Sequence, residues 1–182
     1  MNDLDTLRTS FVAFIDGLWW GLRDHTGPLS MYEGYKQGFK QVGLEMAEKV
    51  GGKGAEAAAE IAGKLFGAIG LDVSVDGAAI TVKRCPIWNR ILKRGLEYAF
   101  HIEEICWKPM LEGIGERTGA KPEMVSALRL VHIEREKVKH KKGKAKSALD
   151  KGRISRDEYD KQIVMLDQTL KDTPTVGKYQ FK

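Results

Sequence analysis

Cysteine and histidine are the residue types in this chain that could bind a metal ion or carry out thiol chemistry. Cys85 and Cys106 are the two cysteines of the 182-residue sequence, and His101 and His132 are the histidines that could join them. Metal sites usually contain close pairs such as Cys-x-x-Cys, and the spacing here offers none. Free cysteines are also common as small buried hydrophobes. We therefore expect two core thiols, with a metal or redox site formed by Cys85, Cys106 and His101 as the alternative.

An aspartate beside a histidine, in the sequence Arg23-Asp24-His25, is a second arrangement with chemical potential. A carboxylate next to an imidazole can orient the ring or raise its pKa, which prepares a general base. No nucleophile can be identified nearby, and adjacent residues of a loop need not face each other. A solvated turn after the first helix is the favoured interpretation.

Large aromatic side chains at inward-facing helix positions form a third candidate set, and it would line a ligand-binding pocket. Such residues either pack an ordinary core or line an apolar cavity between helices and sheet. From the residues alone, core packing is favoured. The set comprises Trp19, Trp20, Phe39, Trp88, Phe100 and Trp107.

The positive charge is concentrated in one segment. Residues 135–153 contain nine basic and two acidic residues, a net of +7, so the rest of the chain carries −2 of the total of +5. Such a segment could contact phosphates or an acidic membrane surface. No aromatic residues interleave for base stacking, and no helix-turn-helix or zinc finger is visible. A solvated linker is favoured, with nucleic-acid binding as the alternative, through the basic patch Lys137, Lys139, Lys141, Lys142, Lys144 and Lys146.

Composition limits the class of protein. Hydrophobic residues make up 42% and charged residues 30%, as in ordinary globular proteins. No apolar run approaches the roughly 18 residues that span a bilayer. The N-terminus is acidic where a secretory signal would be basic, and two cysteines are too few for a disulfide scaffold. The expected location is cytoplasmic.

The elements that position these residues begin with three helices. Apolar residues at three- and four-residue steps over 4–22 predict the first helix, which Thr26-Gly27-Pro28 ends. The capping-box spacing at Ser30 predicts the start of the second helix, and Gly51-Gly52 ends it. Gly34 and Gly38, one turn apart, would let another backbone come close to this helix. The third helix covers 55–69, and Gly70 caps it.

A β-hairpin follows. Asp76-Gly77 lies between two strand-forming runs and predicts a two-residue turn. All six residues of the expected pairs are apolar and share one face of the hairpin. The expected pairs are Val75 with Ala78, Val73 with Ile80, and Leu71 with Val82.

The rest of the chain predicts further helices, a last strand and a separate tail. A helix runs from Pro86 to about Phe100, and Pro109 indicates that another starts near Trp107. Alternation over 125–136 predicts a strand. The expected fold is therefore α+β, in which a helical N-terminal layer packs on a small antiparallel sheet formed by the hairpin 71–82 and the strand 125–136.

Three segments follow from this pattern: an α+β domain over 1–137, a basic linker over 138–147 and a helical tail over 148–182. A second capping box at Ser155 heads the tail helix. A lone helix cannot bury its own apolar stripe. We expect it to dock on the body or on another chain.

Residues 28–136 resemble the vinyl-4-reductase domain family. The resemblance lies in the helical start with Gly34, Gly38 and Gly43, the hairpin, the Cys85-Pro86 helix and the return strand. Archaeal members are described as predicted hydrocarbon-binding proteins, so the resemblance implies an archaeal source and an apolar ligand cavity. The family commonly ends with a strand bearing paired cysteines, and residues 128–133 contain none.

Residues 148–159 are similar to the short C-terminal helical module called SHOCT. The similarity lies in the sequence Asp150-Lys151-Gly152, followed by Ile154-Ser155, acidic residues and Tyr159. It implies a small helical hairpin that mediates oligomerisation.

These resemblances imply a non-catalytic binding module that holds a small hydrophobic or tetrapyrrole-like ligand and self-associates through its tail. The ligand would lie between the helical layer and the hairpin, against the six aromatic residues. One alternative is a metal- or thiol-dependent enzyme or enzyme-assembly factor that uses Cys85 and Cys106. The cofactor is open between none, zinc and a tetrapyrrole-like group, and the partner is a second copy or another protein bound by the C-terminal helix.

Overall fold

The computed structural model describes residues 2–182 and confirms the α+β class. The helices are α1 (Asp3–Thr26), α2 (Pro28–Val50), α3 (Gly54–Ile69), α4 (Pro86–Lys93), α5 (Lys108–Thr118), α6 (Leu128–Asp150) and α7 (Arg156–Asp172). The strands are β1 (Asp72–Asp76), β2 (Ala79–Arg84), β3 (Pro122–Ser126) and β4 (Gly177–Phe181). A π-helical turn, Glu103–Trp107, precedes α5.

The chain divides into two compact units. The first unit contains the described residues up to Arg129 together with Val176–Lys182, and the second unit is Leu130–Thr175. The boundaries therefore differ from the expected 137/138 and 147/148, because α6 begins in the first unit and the last residues of the chain return to it.

Local backbone chemistry sets the limits of the N-terminal helices. Gly27, at φ +80°, separates α1 from α2, and Gly70 caps α3 in the left-handed conformation, both at the predicted positions. The prediction that Ser30 heads α2 is wrong. The helix begins at Pro28, whose fixed φ suits a first helical position without a side-chain cap.

The sheet is antiparallel with strand order β1-β2-β4-β3. The predicted hairpin is confirmed, but its register differs: Val75 pairs with Ile80 and Val73 with Val82. The turn consists of Gly77, at φ +54°, and Ala78, as a type II′ turn requires glycine in its first central position. Because the register is displaced by an even number of residues, the apolar residues keep their common face.

The predicted strand 125–136 is wrong. Strand β3 ends at Ser126, and α6 occupies residues 128–150. In α6, Val131, Val138 and Ala145 are buried at seven-residue intervals, which is a helical period. The alternating residues of the short predicted segment are compatible with a strand and with a helix. The helical period becomes visible only over the whole length of α6.

The basic segment 138–147 is helical throughout rather than a solvated linker. Pairs at three-residue spacing, Lys137 with Glu134 and Lys139 with Glu136, support the helix.

The tail also differs from the prediction. Its capping box at Ser155 is present and α7 follows, but β4 enters the sheet between β2 and β3.

The predicted break at Pro109 takes the form of a wide helical turn. Lys108 donates its backbone N–H to the Glu103 carbonyl oxygen, a five-residue step, and α5 then carries Pro109 in its first turn. Proline fits there because it has no N–H to donate. Helix α4 ends at Lys93, earlier than the predicted Phe100, and turns connect it to this segment.

Glycines allow α2 and α5 to approach closely in the first unit. A Cβ atom added at Gly43 would overlap the Met110 carbonyl oxygen, and one at Gly113 would overlap the Lys40 carbonyl oxygen. Each helix therefore presents a glycine to the backbone of the other. This contact fixes the position of α2 against α5.

Candidate functional site

An apolar groove lies between α1, α2 and α3 of the first unit. Its volume is about 390 Å³, within the range of roughly 300–1,000 Å³ found for small-molecule sites. The lining residues are Phe11, Phe14, Ile15, Leu18, Gly34, Tyr35, Gly38, Phe39, Val42, Leu65 and Ile69.

Two glycines of α2 create the space. A Cβ atom at Gly34 or Gly38 would meet no neighbouring atom within 4 Å. The glycine pair was expected to let another backbone come close, and that contact is made instead by Gly43, further along the helix. At Gly34 and Gly38 the α2 wall of the groove carries no side chain.

The groove offers an apolar surface with no free hydrogen-bond donor among its lining side chains. Tyr35 has the one polar side chain of the set, and its hydroxyl donates to the Ile15 backbone carbonyl. Burial raises the pKa of the Tyr35 hydroxyl above its usual range. Phe14 is 62% exposed at the rim, so the groove is open to solvent on the α1 side.

The six aromatic residues predicted to line the ligand site mostly pack on one another. Trp19 stacks on Phe100 with ring centroids 4.1 Å apart, and Phe39 meets Trp107 edge to face at 5.7 Å. Trp88 is buried. Of the six, Phe39 is the one that lines the groove.

Trp20 lies at the edge of this aromatic core and is half-buried. The guanidinium groups of Arg23 and Arg94 lie 5.1 Å and 5.9 Å from its ring centroid. Arg23-Asp24-His25 belongs to the last turn of α1 and is exposed, so the expected loop is helix. These residues extend the surface of α1.

The two cysteines are buried thiols. The Cys85 Sγ atom accepts the Trp88 backbone N–H at 3.4 Å and so caps α4. Burial raises the pKa of Cys85 to about 12 and that of Cys106 well above its usual range. Both thiols are therefore protonated at neutral pH, which removes the nucleophilic thiolate form.

His101 stands apart from the thiols in its bonding. Its Nε2 atom lies 3.1 Å from the Tyr98 carbonyl oxygen, and its ring stacks on Tyr32 at 6.4 Å. Within residues 2–182, no three side chains of His, Cys, Asp or Glu form a group that could hold a metal ion. Cys85, Cys106 and His101 thus do not form such a group.

A buried ion pair in the first unit was not foreseen. Glu103 accepts the Arg129 backbone N–H at 3.0 Å and the Arg129 Nε–H at 2.8 Å, so one carboxylate neutralises the guanidinium and caps the start of α6. Both side chains are nearly inaccessible. The one available signal was the charge of Arg129 between Leu128 and Leu130.

A second carboxylate of the first unit is also held by arginines. Asp16 is buried on α1, and its Oδ2 atom lies 2.8 Å from Arg90 Nε and 2.9 Å from Arg94. No spacing in the sequence indicates that these residues meet. Asp16 and Glu103 therefore each form an ion pair with arginine within the first unit.

The second unit contains the basic patch. Helices α6 and α7 run antiparallel, linked by the ion pair Lys142–Asp167 and by a bond from Arg135 to the Leu170 carbonyl oxygen. A groove of about 430 Å³ lies between them, with an apolar floor and two lysines on its wall. It is lined by Lys141, Lys144, Ala145, Ala148, Ile154, Gln162, Met165 and Leu166.

Comparison of the chain with protein-family models, with curated proteins and with solved structures finds no match. In the part of the chain that the structure describes, no helix is both long and apolar enough to cross a membrane.

Proposed function

We propose that the protein is a non-catalytic binding module that holds a small, largely apolar ligand in the groove between α1, α2 and α3. The observation that carries the proposal is an open apolar groove, built where two glycines of α2 leave out their side chains. Glycine in a helix interior costs about 1 kcal/mol of stability relative to alanine. Two glycines one turn apart therefore destabilise α2, and this loss of stability is consistent with a groove that is kept open for a ligand.

The groove favours a hydrocarbon-like ligand. Its one polar side chain, that of Tyr35, already donates its hydroxyl hydrogen to a backbone carbonyl, so a polar ligand group buried there would find no free side-chain donor to replace its bonds to water. Burying about 200 Å² of apolar ligand surface would contribute about 5 kcal/mol before association costs. A hydrocarbon chain or a ring system such as a tetrapyrrole edge satisfies these conditions.

A binding role also fits the state of the groups that could do chemistry. The thiols are protonated and buried, and Glu103 and Asp16 are engaged by arginines. These groups contribute to the fold of the first unit. None of them belongs to the lining of the groove.

Titration with the neutral fluorescent probe N-phenyl-1-naphthylamine tests the proposal. Gly38→Leu places a side chain in the groove from a position where a Cβ atom meets no neighbour within 4 Å. We expect the wild-type chain to bind the probe and this variant to lose at least about tenfold in affinity, or about 1.4 kcal/mol.

Gly21→Leu is the matched control. Gly21 is an exposed helical glycine on α1 with no neighbour near its Cβ position, and it does not line the groove. It should bind the probe like the wild type. Equal affinity in wild type and Gly38→Leu, with both chains folded by circular dichroism, would refute the placement of the site.

Self-association through the second unit forms part of the same proposal. Helix α7 has no fully buried residue along its described length, and Val164 and Met165 are 69% and 72% exposed. Two helices alone bury little apolar surface, so the α6–α7 pair of a second copy would complete the packing of this unit.

A further inference from the structure

The groove between α6 and α7 of the second unit differs from the groove of the first unit in its polar edge. Its volume, about 430 Å³, lies within the range of roughly 300–1,000 Å³ found for small-molecule sites. Lys141 and Lys144, three residues apart and therefore neighbours on the surface of α6, form one wall. Gln162 lines the groove from α7. None of the described lining residues is acidic.

The floor of this groove is apolar because α6 contributes two small side chains to it. Ala145 is buried, and Ala148 is half-buried one turn further along the helix. Met165 and Leu166 of α7 and Ile154 of the connecting turn complete the floor. A hydrocarbon chain lying on this surface would remove apolar area from water, which contributes about 25 cal/mol per Å² before association costs.

The two lysines of the wall have their charge available for a ligand. Three other lysines of α6 pair with Glu134, Glu136 and Asp167. Within residues 2–182, no ion pair includes Lys141 or Lys144, and both side chains are exposed. Ammonium groups donate to carboxylate and phosphate oxygens, and such charge-assisted hydrogen bonds are stronger than neutral ones. The groove therefore combines a cationic edge with an apolar floor.

We propose that this groove binds a single-chain anionic amphiphile, that is, a hydrocarbon chain ending in a carboxylate or phosphate group. The chain lies on the apolar floor, and the anionic head accepts hydrogen bonds from Lys141 and Lys144. A neutral hydrocarbon would leave both lysines without a partner, and a cationic head would be repelled by them. The proposal does not rest on the groove between α1, α2 and α3, whose lining contains no charged side chain.

An anionic bilayer presents the same head groups, but the outer surface of α7 opposes binding to it. A neighbouring concave surface of this helix shares Met165 with the groove and contains Asp157 and Asp160. Anionic head groups spread over a membrane surface would repel these two aspartates. A single bound molecule needs to contact only the groove. The charges therefore favour one amphiphile over a membrane surface.

Methyl NMR of the full-length chain, with isotopically labelled methionine methyl groups, tests the proposal. Met165 lines the groove, and its signal is assigned by its loss in Met165→Leu. The probes are decanoate and decyltrimethylammonium, both kept below their micelle concentrations, which carry similar chains and heads of opposite charge. We expect decanoate to shift the Met165 signal in a saturable way and to bind at least about tenfold more tightly than the cation.

Two double variants test the role of the lysines. Lys141→Gln with Lys144→Gln removes the charge of the wall and should weaken decanoate binding at least about tenfold. Lys146→Gln with Lys171→Gln is the matched control, because both lysines are exposed residues of the same unit outside the lining. The control removes the same total charge and should bind decanoate like the wild type. An equal loss in the two double variants would overturn the site.

Other occupants of the groove would give different results. A Met165 signal that shifts with protein concentration but not with decanoate would show that a second copy fills the groove, which overturns the proposal. Binding to phosphatidylglycerol vesicles without binding of free decanoate would also overturn it, in favour of a membrane surface. Gly38→Leu should leave the decanoate-induced shift of Met165 unchanged, because Gly38 belongs to the other unit. Failure of the ligand site in the first unit is thus distinguishable from failure of this one.

Discussion

Alanine substitution of two glycines on α2 should have effects of opposite sign. Gly38 and Gly43 lie in the same helix, and Gly→Ala adds one methyl group at each. At Gly38 the new Cβ meets no atom within 4 Å. At Gly43 it would lie 2.9 Å from the Met110 carbonyl carbon and closer still to its oxygen.

The magnitudes follow from two competing effects. Alanine in a helix interior is favoured over glycine by about 1 kcal/mol, which is the full effect at Gly38. At Gly43 the methyl group displaces α2 from α5, and overpacking of this kind costs about 1–3 kcal/mol or more. The obstacle is rigid backbone, so the upper part of that range applies. We expect Gly38→Ala to raise the free energy of unfolding by up to about 1 kcal/mol and Gly43→Ala to lower it by about 2 kcal/mol.

Thermal unfolding monitored by tryptophan fluorescence reads this difference. All four tryptophans of the chain belong to the first unit, so the signal reports on the unit that contains α2 and α5. The Tm should rise by about 2–3 °C for Gly38→Ala and fall by about 6 °C for Gly43→Ala. A Gly43→Ala variant as stable as Gly38→Ala would refute the close helix contact and the reasoning built on it.

Two further predictions concern the thiols and the tail. Folded Cys85 and Cys106 should resist a thiol reagent at about pH 8, because burial raises the pKa of Cys85 to about 12 while thiols of an unfolded chain ionise near about 8.5. Between about pH 9 and 12 the thiols ionise in the unfolded chain but stay protonated in the folded chain, so unfolding releases protons. The urea midpoint of unfolding should therefore fall as the pH rises through that window. The fall should be smaller in Cys85→Ala. Rapid labelling without denaturant would contradict the buried thiols. In the second unit, Val164→Glu with Met165→Glu should weaken self-association at least about tenfold, whereas the exposed control Ser147→Glu on α6 should not. Unchanged sedimentation of the double variant would exclude this surface.

Features that depend on neighbouring residues could be predicted before the fold was known. The ends of the first three helices at Gly27, Gly51 and Gly70 were correctly predicted, as were the two paired strands of the hairpin, though not their register, and the capping box at Ser155. Each depends on the backbone freedom of one glycine or on a hydrogen bond over three residues, so the chain needs no distant partner to specify it.

Features that depend on distant contacts required the folded chain. Residues 128–136 alternate like a strand but form a helix, and Glu103, 26 residues from Arg129, caps its start. The fourth strand was missed because its five residues acquire strand pairing only between β2 and β3.

The groove was beyond prediction for the same reason. Gly34, Gly38 and Gly43 look alike in the sequence, and the close helix packing was expected at the first two. Only the packing of α5 on one side of α2 decides that Gly43 is covered while Gly34 and Gly38 remain open. The space around a residue is fixed by the elements that pack against it, and one chain position cannot specify it alone.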